Sequence, residues 1–303
     1  MAQGNALVLE GGGFRGMFTS GVLDVLQEHG LYDFESVWGV SAGALNAACF
    51  KSRQIGRAMR IMLAYRDDRR FMSFWSLATT GDLAGGEFMY EEIQNHLDPG
   101  DNLAFNESDL RMFVVASDVV FGTPAYLECK TFPEDVRKLR ASASLPLVSQ
   151  MVNIEGHRYL DGGTTDSIPF EMALGTSPTQ LPGGYVPARR ALVVITQDRA
   201  YEKDGFNERL SIRSHRYDGY PYYLDALKTR ADRYNAQRAR LFDLEGQADS
   251  PVLVIAPERP VEVATNEGHG GKLLDLYLQG RRQVEARLAE IDAFLAQGGE
   301  GSL

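Results

Sequence analysis

The chain has 303 residues, 44% of them hydrophobic and 24% charged, which suits a globular protein with a large core and excludes a low-complexity or disordered chain. A formal net charge of -10 excludes a general nucleic-acid binder, since such proteins neutralise phosphates with a surplus of Lys and Arg. Two cysteines, Cys49 and Cys129, and five scattered histidines supply neither a disulfide framework nor a zinc set, so no metal is expected.

The first ten residues, MAQGNALVLE, carry no Lys or Arg ahead of an apolar run too short for a signal sequence or a membrane span, and a cytosolic protein is expected. Residues 6–10 read as a strand that runs into Gly11, Gly12, Gly13, Phe14, Arg15 and Gly16. Two readings of that loop share the same physics, because glycines let successive N–H groups face a negative charge and a following helix adds its positive end. Gly11, Gly13 and Gly16 satisfy a dinucleotide fingerprint; the same bare backbone also serves as an oxyanion hole. A helical stripe of Phe18, Val22, Val25 and Leu26 follows, with Gly30 as its C-terminal cap.

Residues 36–40 read as the second strand, and it ends on Gly39-Val40-Ser41-Ala42-Gly43 before a helical run of small residues. This is the G-x-S-x-G pattern in the strand-turn-helix setting that lifts a serine hydroxyl above a sheet. A dinucleotide fold would place Asp or Glu at that strand end, and Ser41 stands there instead, while Asp33 and Glu35 precede the strand. Adjacent strands would bring Gly11 to Gly13 beside Ser41, and the glycine loop then reads as an oxyanion hole.

Ile55, Met59, Met62 and Leu63 form a second helical stripe within a locally basic stretch, residues 51–75. Through Arg70 that stretch holds one Lys and six Arg against Asp67 and Asp68, and it continues into Phe71, Met72, Phe74 and Trp75. Such a run is either a solvated helix face followed by core aromatics or a contact with an anionic lipid surface. Strands follow at 111–116 and 125–129, and a short one ends at Asp161, which enters a Gly162-Gly163 turn. Residues 175–190 read as a long connection, 191–196 and 252–256 as strands, and 221–245 and 271–296 as helical. Strands alternating with helices predict an α/β protein, a mostly parallel central sheet with helices on both faces.

A serine hydrolase needs a base, usually His. His29, His96, His215 and His269 lie near helix ends or in polar surroundings, and His157 alone is near a motif.

Together the glycine loop, the Ser41 elbow and Asp161-Gly162-Gly163 resemble, in order and spacing, the three motifs of the patatin-like phospholipases. RASASLPLV, residues 140–148, is similar to the Ala/Ser-rich segment that precedes the Asp motif in that family. The resemblance implies a catalytic core over residues 5–175 and an extension, 176–303, that completes or packs on the same α/β unit. It implies a Ser-Asp dyad, with Ser41 as nucleophile, Asp161 as base and no His. The N–H groups of Gly12, Gly13 and Phe14 would hold the oxyanion, and Arg15 would order the loop or hold negative charge. No cofactor is implied, and the substrate would be a lipid or another acyl ester. A soluble carboxylesterase or thioesterase and a lipid-binding protein with a disabled site are the alternatives.

Overall fold

A computed structural model describes residues 3–299. In chain order it contains β1 (Asn5–Leu9), α1 (Gly16–Glu28), β2 (Ser36–Val40), α2 (Ala42–Lys51), α3 (Arg57–Tyr65), α4 (Phe74–Thr80) and a π-helical segment (Phe88–Leu97). Next come α5 (Asn102–Glu107), β3 (Arg111–Asp118), β4 (Thr123–Cys129), α6 (Val136–Ser142), β5 (Val152–Ile154), β6 (His157–Asp161) and α7 (Phe170–Ala173). The last stretch holds β7 (Arg190–Val194), α8 (Phe206–Arg213), α9 (Pro221–Lys228), α10 (Arg230–Glu245), β8 (Val252–Ile255), α11 (Gly270–Glu285) and α12 (Leu288–Gly299).

The central strands are apolar on both faces, as strands sandwiched between helices must be. Their period of two divides the core. Leu7, Leu9, Val37, Val114, Leu192 and Val194 join the cluster formed with α1, α2, α11 and α12. Ala6, Val8, Trp38, Phe113, Ala191 and Val193 join the other, against α7 and α10. The result is the expected three-layer α/β arrangement.

Five strands, in the order β3-β2-β1-β7-β8, are parallel. The order reverses between β1 and β7, and at such a switch point the loops leaving the C-terminal strand ends part to leave a crevice. On the β3 side the sheet turns antiparallel. There β4 runs along one edge of β3, pairing Met112 to Asp118. The other edge is shared end to end, because β2 pairs Arg111 to Val115 and β6 pairs Ala116 to Asp118. Val40 therefore lies opposite Val115, and Asp161 lies opposite the next residue, Ala116.

Several expected elements differ. Ile55 is exposed in the turn before α3, so it is not part of that helix's buried stripe. The region 221–245 is two helices, α9 and α10, parted at Thr229, whose hydroxyl donates to the Asp225 carbonyl at 2.9 Å and competes with the helical pattern. The region 271–296 is also two helices. One of them, α11, packs along α1, whereas α12 must reach back to β1, where Asn5 Nδ2 donates to the Leu295 carbonyl at 3.0 Å. Gly30 has φ +71° just past α1, as a C-terminal glycine cap should. Cys49 and Cys129 are buried and unlinked. No helix among the described residues is long and apolar enough to cross a membrane.

Candidate active site

The glycine loop leaves the C-terminal end of β1, and Ser41 leaves that of β2. Ser41 is 8% exposed and has φ 53°, ψ -122°, a left-handed conformation that costs a non-glycine residue about 1–3 kcal/mol. It persists because its surroundings hold it. The Ser41 N–H donates to Ser142 Oγ at 2.9 Å, and that hydroxyl donates in turn to the Val115 carbonyl of β3 at 2.6 Å. Gly43 permits the tight turn: a Cβ there would lie 2.3 Å from the Leu9 carbonyl oxygen.

The glycine loop presses on this elbow, with the Cβ position of Gly11 2.9 Å from Ser41 Cβ. Gly13 has φ +57° and lies under the Thr265 carbonyl, where a side chain has neither the conformation nor the space. Three amides of the loop are already committed. Phe14 N–H donates to Thr265 O at 3.2 Å, Arg15 N–H donates to Gly12 O at 3.2 Å, and Gly16 N–H donates to Gly13 O and Phe14 O. The amide of Phe14, expected as an oxyanion donor, is thus occupied, and its ring is buried in the core. Among the described residues the N–H groups of Gly11, Gly12 and Gly13 donate to nothing.

Asp161 arrives from β6 by the shared edge of β3. Its amide donates to Ser144 O at 2.7 Å, its carbonyl accepts from Ser117 Oγ at 2.7 Å, and the Gly163 N–H donates to its Oδ1 at 2.8 Å. The carboxylate is 3% exposed. Burial raises its pKa above the usual carboxylate range, opposed first by the Ser41 hydroxyl and then by Arg230. Ser41 is thus close enough to act on Asp161, but the contact falls short of a well-formed hydrogen bond and leaves Oδ2 without one. Hydrogen bonds of this kind are often loose until substrate is bound.

These groups line one side of a cavity of about 440 Å³. The other side of the lining comes from the second half of the chain, through Thr196, Lys203, Arg230, Tyr234 and Thr265, of which Thr196 and Arg230 bond directly to the Gly11 and Gly163 carbonyls. Glu10, at the end of β1, anchors that side: it accepts from the Thr196 amide at 2.6 Å and the Tyr234 hydroxyl at 2.5 Å. Burial, and next the neighbouring Arg230, push the Lys203 ammonium down to about 8. Sequence reasoning missed Glu10, Ser142, Lys203 and Arg230. Of these, Ser142 lay in the stretch similar to the family's Ala/Ser-rich segment, Glu10 at the end of the first strand and Arg230 in a helical stretch, but none carried a signal for a role.

The histidines stand elsewhere. His157 Nδ1 is 2.8 Å from Asp118 Oδ2 at the opposite end of β6 from Asp161, and His215 is 3.0 Å from Asp218. Neither they nor His29, His96 and His269 line the cavity. The basic stretch 51–75 is largely engaged in structure. Lys51 is buried against the carbonyls of Ser108 and Leu110, Arg57 and Arg60 meet Asp98, and Arg70 meets Asp68 and Glu92. Phe71 is core, while Phe74 and Trp75 of α4 are 75% and 49% exposed. Leu83, just after α4, donates its amide to the carbonyl of Val148, which lines the cavity, at 2.6 Å.

Compared with known proteins, the chain matches the family described as patatin-like phospholipase over residues 7–174, and a domain of unknown function, DUF6363, over residues 220–296. The uncharacterized protein YjjU of Escherichia coli (strain K12) is 32% identical over 173 residues, which cover 55% of this chain and 48% of YjjU. The match thus spans about half of that curated relative. Among solved structures, VipD from Legionella pneumophila aligns with 95% of this chain and 67% of its own at a TM-score of 0.45 and 13% identity.

Proposed function

Since the chain belongs to the patatin-like phospholipase family, we propose that it hydrolyses the acyl-ester bond of lipids with Ser41 as nucleophile and Asp161 as base. The observation that carries this reading is a strained serine beside a buried carboxylate, facing a loop with three uncommitted amides. Ser41 Oγ attacks the ester carbonyl carbon while its proton passes to Asp161. The negative charge that develops on the carbonyl oxygen is held by the amides of Gly12 and Gly13, with the N-terminus of α2 adding its dipole. Collapse expels the alcohol, which takes the proton from Asp161, and leaves an acyl-serine. Water then gives a proton to Asp161 and attacks the acyl carbon, and the departing Ser41 recovers that proton as the fatty acid is released.

A carboxylate of ordinary pKa is a weak base for an alcohol. Burial raises that of Asp161, which brings proton transfer closer to balance. Contact with a lipid surface is assigned to α4, where Phe74 and Trp75 stand exposed next to a segment bonded to the cavity rim.

Ser41→Ala should abolish hydrolysis of a phospholipid extract, followed by mass spectrometry of released acids and lyso-lipids, and a fluorophosphonate should label Ser41 alone. Labelling at another residue, or full turnover in the variant, overturns the nucleophile assignment.

A further inference from the structure

Several arginines elsewhere in the molecule face a carboxylate, as Arg70, Arg199, Arg240 and Arg281 do, and others, such as Arg216 and Arg238, bond backbone carbonyls. The cavity beside Ser41 is different. Arg15 and Lys203 both line it, and neither has a carboxylate within 4.0 Å among the described residues. Arg15 Nε is buried with no hydrogen-bond partner. Lys203 Nζ is held 4.7 Å above the Tyr234 ring, and its backbone is clamped from both sides by Asn235, which accepts from the Lys203 amide at 2.9 Å and donates to its carbonyl at 3.0 Å. Arg230 completes the group, fixed by Gly163 O at 2.6 Å and Glu208 at 2.7 Å.

The carboxylates nearby are committed. Glu10 accepts from Thr196 and Tyr234, Glu208 from Arg230, and Asp161 from Gly163. Arg15 and Lys203 are both half-buried, and a half-buried cation with no carboxylate to pair with is poorly compensated, so two of them beside Ser41 suit an arriving anion. Among the described residues, no carboxylate lining the cavity other than Asp161, whose unbonded Oδ2 is buried, is left to receive a quaternary ammonium.

We propose that Lys203, flanked by Arg230 and Arg15, seats a phosphate carried by the ester substrate, so that the enzyme selects esters with a net anionic head group over zwitterionic and neutral ones. Lys203 and Arg230 lie outside the stretch that matches the family, residues 7–174. The selectivity therefore draws mainly on the second half of this chain, with Arg15 contributed by the glycine loop. It rests on the hydrolase reading only in that the anion sits beside the scissile ester. Glu10, Glu208, Arg15, Arg230 and Tyr234 face the ammonium, and its charge is lost as pH rises through about 8. Discrimination between head groups should narrow above that pH.

The test compares three monomeric substrates with one acyl chain: acylglycerol phosphate, acylglycerophosphocholine and monoacylglycerol. The intact enzyme should favour the first by at least tenfold in kcat/KM. Lys203→Met should cut that preference at least tenfold, mainly through KM, and Lys203→Arg should retain most of it. No preference in the intact enzyme, or the same preference in a Lys203→Met protein with normal melting, overturns the proposal. Calorimetry on Ser41→Ala protein separates it from the hydrolase reading. Tighter binding of the phosphate ligand, lost in the Ser41→Ala/Lys203→Met double variant, supports the anion seat even if the chain hydrolyses none of the three. Equal binding of all three overturns it even if hydrolysis is rapid.

Discussion

The two sides of the cavity are built by different means. One, from Gly11 to Gly16, Gly39 to Gly43 and Ser142 to Gly163, works through backbone: a left-handed serine, free amides, and a carboxylate set by strand register. The other, from Thr196 to Thr265, works through long side chains that converge from separate loops and helices and carry charge. The backbone side has little freedom to change, because a Cβ at Gly43 or Gly13 would overlap main-chain oxygen at 2.3 or 2.5 Å. The charged side can be substituted one side chain at a time. Damage to the first should therefore stop turnover on every ester, and damage to the second should alter which ester is turned over.

After Ser41, the largest effect is expected at Asp161. Asp161→Asn should lower kcat by about 10²–10⁴, the usual worth of a positioned general base, on charged and neutral esters alike. In the proposed role Asp161 would act only when ionised, so the rate should rise with pH through its raised pKa, and the variant should lose that rising limb. Stability should move the opposite way. A carboxyl whose pKa is higher folded than unfolded binds protons more tightly when folded, so its contribution falls as pH rises from the ordinary carboxylate range through the raised value. At neutral pH its buried charge is a liability, and Asp161→Asn should melt higher than the intact protein. A variant that is inactive and also melts lower would mean that the carboxylate holds the fold together.

Ser142 comes next. It is a positioning residue, bridging the Ser41 amide and the Val115 carbonyl. Ser142→Ala strands both buried groups, which costs about 1–3 kcal/mol of stability. It should lower kcat about tenfold on all esters with little change in KM, since a slackened elbow misdirects attack without touching the binding surface. Ser142→Thr, which keeps the hydroxyl, should recover part of the loss. A change confined to phosphate-bearing substrates would place Ser142 with the charged side instead.

The same contrast decides what could be read before the fold was known. Ser41, Asp161 and the glycine loop lie in short runs whose meaning is local: a glycine two positions either side of a serine after a strand already describes a tight turn. Their meeting was not local. It depends on β2 and β6 sharing one edge of β3, and β6 pairs there through only three residues, too short a contact to show in a hydrophobic pattern. The commitment of the Phe14 amide depends on Thr265, some 250 residues away in sequence. Lys203 and Arg230 stand in polar stretches where a cation signals nothing by itself. Thr229 and the junction at Ala286 divide helices without the Gly or Pro that would mark a break in the sequence.

The smallest effect separates both sides of the cavity from the surface around them. Phe74 and Trp75 touch no reacting group, and the arginines near them are largely bound to carboxylates, so attraction to anionic lipid should depend more on the two rings than on charge. Phe74→Ser with Trp75→Ser should lower hydrolysis of vesicles, relative to a monomeric short-chain ester, by about three- to tenfold, as expected for losing part of the roughly 1.5–3 kcal/mol that full burial of one large apolar side chain provides. Arg66→Gln, Arg69→Gln and Arg70→Gln together should shift that ratio less, and added salt should erase their share. Vesicle sedimentation read beside turnover distinguishes the outcomes. If the ring variant loses equally on both substrates, α4 supports the cavity rim through the Leu83 and Val148 strut. If the arginine variant loses more than the ring variant, the contact is electrostatic after all.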